Sequence, residues 1–121
     1  MNDIEAKISA LLRWGADPNK AIRRILGDED LYFNLLHGFA GSSDWDVLTD
    51  LIGQRAFKDA FVIVHRMKGS AADLELTPLF DSLCFVTEDL RNEVRPSIYD
   101  DLKGLLLIRN SLIDVLGIKA T

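Results

Sequence analysis

The sequence predicts an all-α fold, and three observations carry that prediction. Apolar residues recur at helical spacing in almost every segment. Helix start and stop signals alternate along the chain. Strand signals are sparse: there is no sustained two-residue alternation and no Asn-Gly or Asp-Gly hairpin turn. The β-branched cluster Phe61-Val62-Ile63-Val64 sits inside a helical repeat.

The elements follow in order. Residues 3 to 14 place Ile4, Ile8, Leu11 and Leu12 on one stripe, and Gly15 stops it. Asp17-Pro18 combines an N-cap with proline at the first helical position, opening a short helix through Ile22, Ile25 and Leu26 that ends at Gly27. Asp28 caps the next, with Leu31, Leu35, Leu36 and Phe39 on one face. Gly41-Ser42-Ser43 is a break, and Ser42 or Ser43 can cap a helix carrying Val47, Leu48, Leu51 and Ile52. After the Gly53-Gln54 turn a helix runs from about 57 to about 74. Thr77-Pro78 opens another to about 92, and Pro96-Ser97 opens the last to about 118. Long helices joined by brief turns indicate an up-and-down four-helix bundle with additional short N-terminal helices. We expect one domain over residues 1–121, with 1–16 an N-terminal helix and 17–121 the bundle. Met1 and the capped first helix suggest a whole small protein.

Bulk properties narrow the function classes. The chain has 121 residues, 48% hydrophobic and 27% charged, enough for one core. A net charge of −5 argues against nucleic acid as the main partner, because phosphate binding wants clustered Lys and Arg. The single cysteine, Cys84, cannot form an internal disulfide, so a reducing, cytoplasmic compartment is expected. No apolar run approaches the roughly 18 residues of a membrane span. Two histidines and one cysteine do not make a metal-ligand set at recognisable spacing. His37, Trp14 and Trp45 read as structural, the tryptophans as anchors of helix ends. The acids of Asp28-Glu29-Asp30 and Asp100-Asp101 read as helix N-terminal charge.

The stretch VHRMKGSAADLEL, residues 64 to 76, carries the chemistry. On a helix, Ala60, Ile63, Val64, Met67, Ala71 and Leu74 form the core stripe, and His65 lies about 150° from its centre. The histidine therefore points outward. Phe61 and Val62 lie one turn before it, Lys68 and Gly69 one turn after, and Ala72 beyond. Glycine inside a helix costs up to about 1 kcal/mol against alanine, so a compensating gain is expected, such as close approach of another molecule to the imidazole. Neutral imidazole is a good nucleophile near pH 7. A lysine one turn on can hold phosphoryl oxygens. The chain has no GxxxxGK[ST] motif or other glycine-rich phosphate loop, so a phosphoryl donor has to be another protein.

His65-Arg66-Met67-Lys68-Gly69-Ser70-Ala71-Ala72 resembles the signature of the histidine-containing phosphotransfer (HPt) domain family. The likeness extends over roughly 17 to 117: Leu26 to Tyr32 with Leu35, Leu36 and Phe39 is similar to the family's first bundle helix, and Leu79 and Leu83 fit the helix after the histidine helix. The resemblance implies a four-helix bundle that relays phosphoryl groups between receiver-domain aspartates. It implies His65 as phosphoacceptor on Nε2, Lys68 as stabiliser of the phosphoryl group and Gly69 as the residue that gives access. Phe61, Val62, Arg66 and Ala72 would dock a response-regulator receiver, and a sensor histidine kinase is a further expected partner. The chain would act as a monomer and hold no cofactor; Mg²⁺ would come with the receiver. The sequence departs from the family pattern at Val64, at Val86-Thr87, and at Glu75, where a glycine is usual. A binding module of the same fold that sequesters a receiver or kinase, and a purely structural bundle, are the rival readings.

Overall fold

The computed structural model describes residues 2–118, which form seven α-helices and no strand. They are α1 (Asp3–Trp14), α2 (Pro18–Arg24), α3 (Glu29–Ala40), α4 (Asp44–Gly53), α5 (Phe57–Asp73), α6 (Thr77–Leu90) and α7 (Ile98–Leu116). The all-α expectation therefore holds for the described residues. No helix among them is long and apolar enough to cross a membrane.

Capping explains most of the boundaries. The side chains of Asn2, Asp17 and Asp28 accept hydrogen bonds from the backbone N–H groups of Glu5, Lys20 and Leu31, satisfying donors that a helix start leaves free. At the α4 start the bond comes from Ser42, whose Oγ accepts from the Asp44 N–H at 3.1 Å; Ser43 makes no side-chain cap. Thr77 is not a cap but the first residue of α6, and Leu76 occupies the cap position. Gly15 ends α1 at φ 115°, and a Cβ there would lie 3.0 Å from Pro78 Cγ. Both the left-handed backbone and the close approach of α6 exclude larger residues.

Helices α5, α6 and α7 pack as successive neighbours, and α4 packs on α5. Both α3 and α4 also touch α7, and α1 crosses over to meet it. The core between them contains Leu11, Leu36, Leu48, Ile52, Val64, Leu79, Leu83, Leu105 and Leu112, all fully buried. Trp45 joins this core with its Nε1 donating to the Phe39 carbonyl at 2.9 Å. Trp14 donates to Ser111 Oγ at 2.8 Å, tying the end of α1 to α7. Both tryptophans thus anchor helix ends as expected.

The predicted face of α3 is out of phase. Leu31 and Leu35 are exposed, and the buried residues are Tyr32, Phe33, Leu36 and Ala40. Two aromatic side chains bury more apolar area than two leucines, and Tyr32 gives its hydroxyl to the Leu74 carbonyl at 3.1 Å, so its polar tip is satisfied inside. Val47 on α4 is likewise exposed. Leu26 lies outside α2, 98% exposed, with φ 61°.

Three helices end on a non-glycine residue in the left-handed region: α2 at Leu26, α4 at Arg55 (φ 61°) and α5 at Glu75 (φ 57°). In each, the following N–H reaches back into the last turn, as Gly27 does to Ile22, Ala56 to Leu51 and Leu76 to Ala71. This pattern stops a helix by backbone bonds alone, and a side chain there costs about 1 kcal/mol relative to glycine. At Leu26 no burial is lost by removing the side chain. Leu26→Gly should raise stability by about 1 kcal/mol in urea unfolding. Glu75→Gly should gain less, or lose, because its carboxylate is engaged by α2 as described next.

Candidate functional site

Helix α5 has a buried stripe and an open face. Ala60, Val64, Met67 and Ala71 are buried, Leu74 follows at the helix end, and Ile63 is half-buried. The core stripe read from the sequence is thus the observed one, with Ile63 at its margin. The opposite face presents Val62, His65, Arg66, Gly69 and Ala72 to solvent, with Phe61 and Lys68 half-buried at its edge toward α6. The rotation of α5 that buries Val64 and Met67 turns His65 outward, as helical spacing requires.

His65 lies beside Phe61 of the preceding turn of α5, and Lys68 follows on the next turn. The His65 ring lies 6.0 Å from that of Phe61, tilted by 37°. The guanidinium of Arg91, from the end of α6, sits 5.5 Å from the centroid of the same Phe61 ring. Arg91 also pairs with Glu88 at 3.0 Å. That hydrogen bond is the main reason the Glu88 carboxyl stays below its usual range, with the charges of Arg91, Arg95 and Lys68 adding to it. Lys68 therefore lies within electrostatic reach of α6 but has no carboxylate within ion-pair distance among the described residues.

Arg66 is placed differently from Lys68. It is exposed, and its Nη2 lies 2.8 Å from Asp44 Oδ2 at the start of α4. An exposed pair of this kind is worth about 0–1 kcal/mol, so Arg66 can exchange Asp44 for another carboxylate at little cost. Phe85 was not anticipated by sequence reading. It is 64% exposed on α6, one turn before Glu88, and Val62 on α5 is equally open. A large aromatic at a solvent-facing helical position is the signal that could have found it.

Gly69 lies one turn beyond His65 on α5. A Cβ built there meets nothing within 4 Å. The glycine is not required by packing of the chain on itself, nor by its backbone, which is ordinary helix. The space above it is open beside His65. Ala72, one turn further, borders a shallow concavity of about 220 Å³ shared with Arg24, Glu75 and Phe80.

Glu75 lies at the foot of this helix and faces away from His65 in its contacts. Its carboxylate pairs with Arg24 and, at 3.5 Å, with Lys20, both on α2. Arg24 also donates to the Asp73 carbonyl, and the Asp17 N–H donates to the Glu75 carbonyl at 3.0 Å. Burial, and the nearby charges of Glu75 and Asp17, push the Tyr32 phenol well above its usual range, so it stays a donor to Leu74.

Chemically, this face offers an accessible imidazole, one ammonium within a turn of it, an open glycine, and exposed apolar residues on two adjacent helices. No group of three or more metal-ligating side chains is assembled among the described residues. His37 is half-buried on α3, on another element from the site. No family model, curated protein or solved structure matches the chain.

Gly69→Ala should separate the chain's own needs from those of a partner. With open space above it, the added methyl should stabilise the isolated chain by up to about 1 kcal/mol through helix propensity, read by thermal or urea unfolding.

Proposed function

We propose that the chain is a histidine phosphotransfer carrier of a phosphorelay, of the kind the HPt resemblance implies. The observation that carries this reading is the outward His65 with Lys68 one turn on and open space over Gly69. Helical packing alone calls for none of these three together.

The reaction uses only groups this face supplies, plus a phosphorylated partner. Neutral His65 attacks the phosphorus of a receiver's aspartyl phosphate through the lone pair of Nε2. The P–N bond forms as the P–O bond to the aspartate breaks, and the carboxylate leaves with the bonding pair. Lys68 offsets charge on the phosphoryl oxygens, which are spread equatorially in such a transfer. The reverse reaction passes the group to a second receiver. Mg²⁺ belongs to the receiver's acidic pocket. In this reading α5, α6 and α7 are three sides of a four-helix bundle, and α3 and α4, on either side of the Gly41–Ser43 break, share the fourth.

The receiver docks on Phe61, Val62, Gly69 and Ala72, and Phe85 extends that apolar surface onto α6. Arg66 is released from Asp44 to meet the receiver's acidic rim. The rival reading, a module that binds without carrying phosphate, drew its support from Glu75. The carboxylate of Glu75 is engaged with Lys20 and Arg24 on α2, so its charge is offset locally rather than directed at His65.

The test is transfer from a receiver domain charged with a small phosphodonor. Wild-type chain should acquire acid-labile, base-stable label and His65→Gln none. Lys68→Ala should retain binding but slow transfer by about 10- to 100-fold, the scale expected for one charged stabiliser of a transferring group. Gly69→Ala should slow transfer while stabilising the fold. Equal labelling of wild type and His65→Gln overturns the proposal.

A further inference from the structure

Away from the His65 face, a carboxylate is buried where α6 ends. Asp89 is 3% exposed, in the last turn of α6. Its Oδ1 accepts from Ser97 Oγ at 2.8 Å, and its backbone carbonyl accepts from the Arg95 N–H at 2.9 Å. Both donors lie at the far end of the connection leading into α7. Oδ2 is buried, and no N–H or O–H donor of the ionised chain reaches it. Asp101, in the first turn of α7, lies one turn on from Ser97: its N–H donates to the Ser97 carbonyl at 2.9 Å, while the Ser97 hydroxyl is on Asp89. Two ionised carboxylates in that position would repel, and an orphaned buried oxygen would carry its full desolvation cost.

We propose that Asp89 and Asp101 share one proton and form a pH-sensitive latch that ties the end of α6 to the start of α7. With one carboxyl protonated, Asp101 donates to Asp89 Oδ2, every polar atom of Asp89 is satisfied, and the connection from 91 to 97 is held at both ends. When that proton leaves for solvent, the bond becomes a repulsion.

The charges around the pair do not supply a substitute. On α6, Glu88 and Arg91 pair with each other. The connection brings Glu93 and Arg95, the start of α7 brings Asp100 and Lys103, the beginning of α5 brings Lys58 and Asp59, and the turn before α5 brings Arg55. None of these forms a salt bridge with Asp89 or Asp101. Hydrogen bonding to Asp89, partial burial and the Asp89 charge together push the Asp101 carboxyl up to about 6. A carboxyl whose folded value lies above its unfolded one holds its proton better in the folded state. Its stabilisation is complete below the unfolded value near 4 and is lost as pH rises through about 6.

Asp101→Asn tests the latch, because an amide donates to Asp89 Oδ2 at every pH. Urea unfolding of wild type and variant across pH 4 to 8 isolates the pair, since both carry the same histidines and remaining carboxylates. The wild type should lose stability relative to the variant as pH rises, with a change in their relative unfolding constants of the order of tenfold, one pKa unit's worth after allowance for solvent screening. Parallel pH profiles would overturn the latch. A carboxyl ¹³C titration of the wild-type chain gives a reading that does not depend on the variant folding. A resonance from Asp101 titrating near pH 6 supports the proposal, and one titrating near 4 overturns it.

Discussion

The turn between α5 and α6 sets the rotation of both helices about their axes. Glu75 takes a left-handed conformation, and the N–H groups of Glu75 and Leu76 close back onto Ala72 and Ala71. Three other segments grip the same turn. Asp17 bonds the Glu75 carbonyl, Tyr32 bonds the Leu74 carbonyl, and Lys20 and Arg24 hold the Glu75 carboxylate. The N-terminal helices thus act on the foot of α5. With the helix stopped there, Val64, Met67 and Ala71 turn inward, and His65, Gly69 and Ala72 are left outward. The ion pairs offset part of the roughly 1 kcal/mol that a non-glycine residue costs in this conformation.

The outward face is locally different from the molecule as a whole. A chain of net charge −5 carries Arg66 and Lys68 on the helix of His65, and Arg91 over the neighbouring Phe61 ring. Two of those cations already have carboxylate partners, Asp44 and Glu88, at the surface. Such pairs contribute little to stability but keep the arginines positioned and exchangeable. Lys68 has no such partner among the described residues, and it sits one turn from the histidine. A charge that is not committed within the fold is available to stabilise charge arriving from outside it.

Much of this was legible in the sequence because caps and periodicity are local. Gly15 ends α1, Asp17-Pro18 opens α2 and Asp28 opens α3, each within a few residues of the signal. The outward position of His65 followed from spacing alone, because the stripe of Ala60, Val64, Met67 and Ala71 leaves one consistent phase. The α3 face did not, because Tyr32 and Phe33 compete with Leu31 and Leu35, and only the distant Leu74 carbonyl makes burial of the tyrosine hydroxyl acceptable. Glu75 could be picked out as a residue at a glycine position, but its partners on α2 come from tertiary packing. Asp101 read as ordinary helix N-terminal charge, since nothing local reveals that α6 brings Asp89 onto Ser97, one turn before it.

The most direct measurement is the site of phosphorylation after incubation with a phosphorylated receiver, mapped by tandem mass spectrometry at neutral to basic pH so that phosphoramidate survives. The chain contains two histidines, so His37 serves as an internal control. The account predicts phosphate on His65 and none on His37. Phosphate on His37 or on a hydroxyl side chain, with His65 unmodified, would contradict it.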